Sequence, residues 1–131
     1  MTLTHKYYLL SSIVLIVLDI VWIQVFMSNE YAKLVPKIQG SILKTNFISA
    51  GLAYFLMLIG LWYLVLPRFD KDRITVQDCL KYGFLFGIVV YGVYDFTCGA
   101  VFENWDFKLA IVDILWAGLV YFLACYVPQF L

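Results

Sequence analysis

Four long apolar runs, separated by short polar stretches, dominate this chain. They cover approximately residues 7–27, 47–66, 80–102 and 109–127. Each has about the 20 residues that an α-helix needs to cross the hydrocarbon core of a bilayer. The stretch before the second run contains Pro36 and Gly40 and has room for a short interfacial helix. The pattern predicts an all-α integral membrane four-helix bundle, with residues 1–131 forming a single transmembrane domain in the lipid bilayer.

Composition agrees with a membrane location. Hydrophobic residues make up 64% of the chain and charged residues 14%, whereas soluble domains have about 45–50% apolar and about 25% charged residues. The formal net charge is zero, so no nucleic-acid partner is predicted. The three cysteines form no CxxC pair and predict neither a disulfide framework nor a zinc site. The first run is too long for a signal peptide and has no small-residue cleavage site after it, so we keep it as a helix.

The positive charges only slightly distinguish the two sides of the predicted bundle. Of the nine lysines and arginines, five lie on the N-terminal side and four on the other. The positive-inside rule therefore favours a cytoplasmic N-terminus. So small a difference also allows insertion in both directions, as in an antiparallel dimer, and labelling that finds both termini on one side only would exclude this alternative.

Three aspartates lie inside the apolar runs: Asp19, Asp95 and Asp113. A carboxylate in the bilayer centre costs roughly 2.5–3.5 kcal/mol on insertion scales, and such residues usually face the bundle interior or a water-filled cavity. Asp19 and Asp95 lie late in helices that run in one direction, and Asp113 lies early in a helix that runs back. All three are therefore expected at a similar depth, in an acidic pocket that opens on the side opposite the N-terminus. Asn46, before the second run, approaches from that side too.

Aromatic residues are expected to form the walls of this pocket. Residues three or four positions apart share a helix face, which places Trp22 with Asp19 and Trp116 with Asp113. Indole N–H and phenol O–H groups donate hydrogen bonds to carboxylates, and aromatic faces attract cations. The predicted ligand-binding or ion-binding residues are Asp19, Asp95, Asp113, Trp22, Trp116, Asn46, Tyr54, Tyr91 and Tyr94. The alternative is that the aspartates are structural anchors, since interhelical hydrogen bonds in membranes contribute about 0.6 kcal/mol without any ligand.

Small residues form two stripes that suit close helix packing. Gly83 and Gly87 make a GxxxG pair in the third run, and Ala110, Ala117 and Ala124 recur every seven residues in the fourth. Small residues let membrane helices approach closely. The pattern leaves open whether these stripes pack within one chain or in a homo-oligomer.

The first and fourth runs share a five-residue pattern. Leu18–Trp22 and Val112–Trp116 both read apolar-D-x-x-W, and on antiparallel helices they could flank one cavity with approximate two-fold symmetry, as in transporters with inverted repeats. Together with YDxT at Tyr94–Thr97, these motifs resemble an uncharacterised family of small four-helix membrane proteins. The resemblance spans nearly the whole chain, although Cys98 stands where members usually have asparagine and Ala117 where they have glycine. It implies the fold and the site but no activity.

Three classes of function fit these features. The first is a small transporter or channel whose aspartates bind protons or a cation, because low-dielectric surroundings favour the neutral form of a carboxyl group and so promote proton exchange. The second is a membrane scaffold or accessory subunit. The third is a metal-dependent membrane enzyme, since carboxylates suit magnesium, calcium or manganese. We rank the enzyme last because the chain has no HExxH, serine–histidine or phosphate-loop motif. The sequence specifies no cofactor.

Overall fold

The computed structural model describes residues 3–131, and four long helices account for most of them. We number these helices α1 (Thr4–Gln39), α2 (Phe47–Arg68), α3 (Val76–Val101) and α4 (Phe107–Phe130). Each is long and apolar enough to cross a membrane. The predicted all-α membrane class with four candidate spans is therefore confirmed.

α1 is longer than the first apolar run. It is α-helical up to Trp22, passes through a wider π-helical turn at Ile23–Met27, and continues as an α-helix over Ser28–Gln39. The sequence pattern had predicted the helix to end near residue 27. It ends instead at Gln39. Gly40 caps it with a φ of 76°, which is suited to glycine, and donates its N–H to the Pro36 carbonyl at 3.0 Å. At about 1.5 Å per residue, its 36 residues exceed the roughly 30 Å hydrocarbon core, so its polar end extends beyond the apolar layer.

The remaining helices also have composite ends. α2 combines an α-helix over Phe47–Gly60 with a π-helical turn at Leu61–Val65 and a 3-10 turn at Leu66–Arg68. α3 begins with Val76–Asp78 and a π-helical segment at Cys79–Phe84 before its α-helix over Leu85–Val101. α4 is α-helical over Phe107–Tyr126 and closes with a 3-10 turn at Val127–Phe130.

α4 lies at the centre of the bundle. Half of the residues in its most apolar stretch are buried in protein, against 17% in each of the other three helices. Its alanine stripe is buried, and the α3 glycines pack against it. A Cβ added to Gly87 would overlap the Ala117 carbonyl, and one added to Gly83 would lie 2.9 Å from the Tyr121 carbonyl oxygen. The two small-residue stripes therefore pack within one chain.

Hydrogen bonds and apolar packing join α1 to α4 near the N-terminal end of α1. The Tyr7 hydroxyl donates to the Cys125 carbonyl at 2.7 Å, and the Ser11 hydroxyl donates to the Ala124 carbonyl. Leu15 is completely buried in the same cluster. These contacts fix one end of the bundle and leave the other end to form the cavity described below.

α2 is held firmly at only one end. Leu61 and Leu66, in its last turns, are fully buried, whereas Phe47 is 82% exposed. Lys71 closes the C-terminal end by donating to the carbonyls of Leu66 (2.8 Å) and Phe69 (3.0 Å). Partial burial lowers the pKa of Lys71. Because the other half of α2 packs loosely, a gap remains between it and the rest of the bundle.

Candidate functional site

A cavity of about 610 Å³ occupies that gap, and all four helices line it. Its walls are mainly apolar and aromatic. The charged side chains in the lining are Asp19 and Asp113. The phenol groups in the lining belong to Tyr31, Tyr54, Tyr91, Tyr94 and Tyr121. The cavity therefore combines a large hydrophobic surface with two carboxyl groups.

The three aspartates are buried in neighbouring positions. Asp19, Asp95 and Asp113 are 3%, 1% and 5% exposed. Asp19 and Asp113 line the cavity, whereas Asp95 lies behind the wall with its carboxyl group beside that of Asp113. Within residues 3–131, Asp95 Oδ2 has no hydrogen-bond partner. Adjoining carboxyl groups away from water repel each other unless they share a proton or a cation lies nearby.

Asp19 is the aspartate that protein donors satisfy best. The Tyr91 hydroxyl donates to its Oδ1 at 3.2 Å and also lies 3.8 Å from Met57 Sδ. The Tyr54 hydroxyl interacts with the same carboxylate from α2. A carboxylate held by donors on two further helices couples α1 to α2 and α3 at the wall of the cavity.

The two apolar-D-x-x-W motifs meet through exchanged contacts. The Trp22 and Trp116 rings are stacked, with centroids 4.6 Å apart and planes 11° apart. Asp19 interacts with Trp116, and Asp113 interacts with Trp22. Neither indole N–H completes a hydrogen bond of normal geometry to any other described residue, although both are buried. The motifs thus lie together as an approximately two-fold pair. Trp22 lines the cavity, and Trp116 is stacked on Trp22.

Two other predicted site residues occupy different surroundings. Tyr94 lines the cavity but is half exposed, and its ring packs edge-on against Trp105 with a centroid separation of 6.4 Å. Asn46 is exposed and lies outside the lining, and its Oδ1 accepts a hydrogen bond from the Ser49 N–H at 3.1 Å. Asparagine directly before a helix commonly caps it. The structure therefore places Asn46 as the N-cap of α2 and not with the aspartates.

Tyr31 is a cavity residue that the hydropathy pattern did not indicate. It belongs to the part of α1 that was predicted to be a connection, and its hydroxyl interacts with that of Tyr94. Asp19, Ile23, Met27 and Tyr31 all line the cavity at intervals of four residues. In a regular α-helix with 3.6 residues per turn, side chains four residues apart gradually move around the helix to a different face. The π-helical turn at Ile23–Met27 has more residues per turn, so it brings these side chains back towards the cavity. The four-residue spacing from Asp19 to Tyr31 is the sequence pattern that could have indicated this role for Tyr31.

Tyr121 was also missed. Its side chain is fully buried, lines the cavity, and donates to the Met57 carbonyl at 3.3 Å. A tyrosine in the middle of an apolar run gives little sign of this role, because the contact depends on how α2 packs against α4.

Potential metal ligands are not clustered in the described part of the chain. Among the residues that the structure describes, no three His, Cys, Asp or Glu side chains are grouped closely enough to hold a metal ion.

Comparison with known proteins agrees with the motif resemblance. The chain has no significant match among the curated proteins or the solved structures with which it was compared. A family of predicted membrane proteins, DUF2177, has a sequence model that matches residues 4–128. The match covers nearly all of the chain and confirms the resemblance to an uncharacterised membrane family that the motifs indicated. With its four membrane-length helices, the chain belongs to the DUF2177 family.

Proposed function

We propose that this protein is a small membrane transporter or channel whose acidic cavity binds protons or a cation. The observation that carries the proposal is the burial of three aspartates, from three different helices, around one cavity. None of the lysines and arginines within residues 3–131 lines that cavity. The negative charge is therefore not neutralised by a basic side chain in the cavity wall, and a mobile cation or proton can supply the balance.

The surroundings of the aspartates argue against a purely structural role for all three. An interhelical anchor is expected to have a protein donor, as Asp19 has in Tyr91. The Asp95 carboxyl group, in contrast, interacts with a second carboxyl group, that of Asp113, and its Oδ2 has no other partner in the described chain. Intramembrane carboxyl groups of this kind commonly serve ion or proton pathways. The cavity provides the space through which such an ion reaches Asp113.

Flux through reconstituted protein tests the proposal. Purified protein is placed in vesicles that contain a pH-sensitive dye, and proton movement is recorded after a pH or cation gradient is imposed. We expect Asp19→Asn, Asp95→Asn and Asp113→Asn each to reduce flux strongly, because each removes a negative charge with little change in size. Unchanged flux in all three variants would reject this function.

Asp106→Asn is the matched control. Asp106 is exposed at the start of α4, where its Oδ1 accepts hydrogen bonds from the N–H groups of Lys108 and Leu109. Asparagine caps helices about as well as aspartate, so the same chemical change outside the cavity should leave flux unaffected. A similar loss in this control would attribute the effect to folding or to overall charge.

A membrane scaffold or accessory subunit is the second candidate. The Tyr91–Asp19 hydrogen bond favours it, because that contact joins two helices without any ligand. This candidate predicts that the asparagine variants keep their function and that bulky residues at Gly87 or Ala117 disrupt assembly. A homo-oligomer, including one with subunits inserted in opposite directions, is compatible with either proposal and is tested by crosslinking and by labelling of both termini.

A further inference from the structure

The cavity is much larger than a proton or a bare metal ion requires. Its volume of about 610 Å³ lies within the range of roughly 300–1,000 Å³ that is typical of small-molecule pockets. Much of its wall consists of aliphatic and aromatic side chains, among them Met27, Met57, Phe86 and Val90. A wall of this kind provides few polar contacts for a hydrated inorganic ion, whereas it can bury the apolar body of an organic molecule.

The carboxyl groups of the cavity determine the sign of the charge that this ligand carries. Asp19 on α1 and Asp113 on α4 supply the charged groups of the lining. Behind Asp113, Asp95 is 1% exposed and has an unpartnered Oδ2 within the described residues. The Trp22 and Tyr91 rings lie beside these groups, and aromatic faces attract ammonium and other onium cations. A ligand with a positive centre therefore balances carboxylate charge that no basic side chain of the lining neutralises.

The way α2 packs also gives such a ligand a route into the cavity. Ala50 and Ala53 form part of the α2 wall, and the neighbouring Leu52 and Leu56 are more than half exposed. The helix is anchored at its other end, so a ligand that enters beside these small residues would come from the region occupied by lipid. A lipophilic cation that has partitioned into the bilayer can enter sideways without crossing a polar barrier.

We propose that the cavity binds a lipophilic organic cation, with its positive centre at Asp19 and Asp113 and its apolar body against Trp22, Met57 and Phe86. This inference rests on the proposed function and names the class of its ligand. Such a site differs from an inorganic-ion site because the ligand needs both a positive charge and a large apolar body to bind.

Binding of tetraphenylphosphonium to the purified protein in nanodiscs tests the proposal. The control ligand is tetraphenylborate, which has the same shape and the opposite charge. We expect saturable binding of the phosphonium, followed by calorimetry and by quenching of tryptophan fluorescence, and at least tenfold weaker binding to the Asp19→Asn and Asp113→Asn variants. Asp106→Asn should bind as the unchanged protein does. Equal binding of both ions, or no saturable phosphonium binding, would overturn the proposal.

A steric variant keeps the test decisive if the asparagine variants fold poorly. Ala53→Phe fills part of the cavity from an exposed position on α2 and leaves every carboxyl group in place. It should weaken phosphonium binding at least tenfold, whereas Ala100→Phe, on an exposed position outside the lining, should not. Equal binding to both phenylalanine variants would show that the phosphonium occupies another place, which also overturns the proposal.

The flux experiment separates failure of this inference from failure of the proposed function. Aspartate-dependent proton or inorganic cation flux without phosphonium binding would overturn the organic-cation site and leave the transport function standing. Aspartate-dependent phosphonium binding without flux of protons, inorganic cations or the phosphonium would support the site and reject transport.

Discussion

Substitution of Gly87 by alanine should weaken the contact between α3 and α4. A Cβ at this position would overlap the carbonyl of Ala117 and approach the Gly118 nitrogen to 2.9 Å. These are backbone atoms of a buried helix, so they cannot move aside as the end of a flexible side chain can. Alanine can be accommodated only if the two helices separate or shift along each other.

The size of the effect follows from two opposing contributions. Overpacking a well-packed contact costs about 1–3 kcal/mol. Replacing glycine in a helix gains up to about 1 kcal/mol through helix propensity. Gly92→Ala provides the matched control, because it lies in the same α-helix, Leu85–Val101, with nothing within 4 Å of the added Cβ. The propensity gain is common to both variants, so their difference isolates the packing cost of about 1–3 kcal/mol.

Thermal unfolding in detergent, followed with a thiol-reactive fluorogenic dye, measures this difference. Cys79 and Cys125 are free and completely buried, so they react when the bundle opens. Cys98 is partly exposed and is replaced by serine to lower the background. At about 4 °C per kcal/mol for a chain of this size, the Gly87→Ala midpoint should lie about 4–12 °C below that of Gly92→Ala. Equal midpoints, or a higher one for Gly87→Ala, would refute the close α3–α4 packing.

Three further predictions concern other contacts. Tyr7→Phe removes a buried interhelical hydrogen bond and should lower the stability by about 0.6–1.7 kcal/mol in the same thermal assay. The control Tyr8→Phe changes a less buried ring and should lower it less, and an equal loss of stability in both variants would contradict the assigned bond. Double-mutant cycles in which Trp22 and Trp116 are changed to leucine should give a coupling energy of about 0.5–1.5 kcal/mol, as expected for a stacked aromatic pair, and additive effects would exclude the stack. Lys33→Cys in a cysteine-free protein should react with a membrane-impermeant maleimide because α1 extends beyond the apolar layer, and protection from both sides of the membrane would place this segment elsewhere.

The sequence predicted the membrane spans and the neighbourhood of the aspartates because both depend on local rules. Apolar length identifies a span, and successive spans reverse direction, so the positions of Asp95 and Asp113 within their runs place them at one depth. The shared apolar-D-x-x-W pattern similarly anticipated that the two motifs lie together, as the stacked Trp22 and Trp116 rings do. Neither inference required knowledge of how the helices tilt.

The remaining features depend on information that hydropathy does not carry. Hydropathy reports the preferred solvent of a segment and not whether the segment is helical, so the polar residues after Met27 concealed the continuation of α1 and the role of Tyr31. Asn46 was assigned by depth alone, although its position before a helix indicated capping. The cavity itself exists because α2 is anchored at Leu61 and packs loosely beside Ala53, and this follows from packing among all four helices.

The central position of α4 has a consequence for biosynthesis. The helix against which α1 and α3 pack follows the other three along the chain, so these spans enter the bilayer before their shared partner exists. During that interval the glycine stripe of α3 has no surface to pack against, and the aspartates lack their final neighbours. Assembly is therefore completed only after α4 has been synthesised, and a chain cut short before Phe107 leaves insertion intermediates that membrane proteases can recognise.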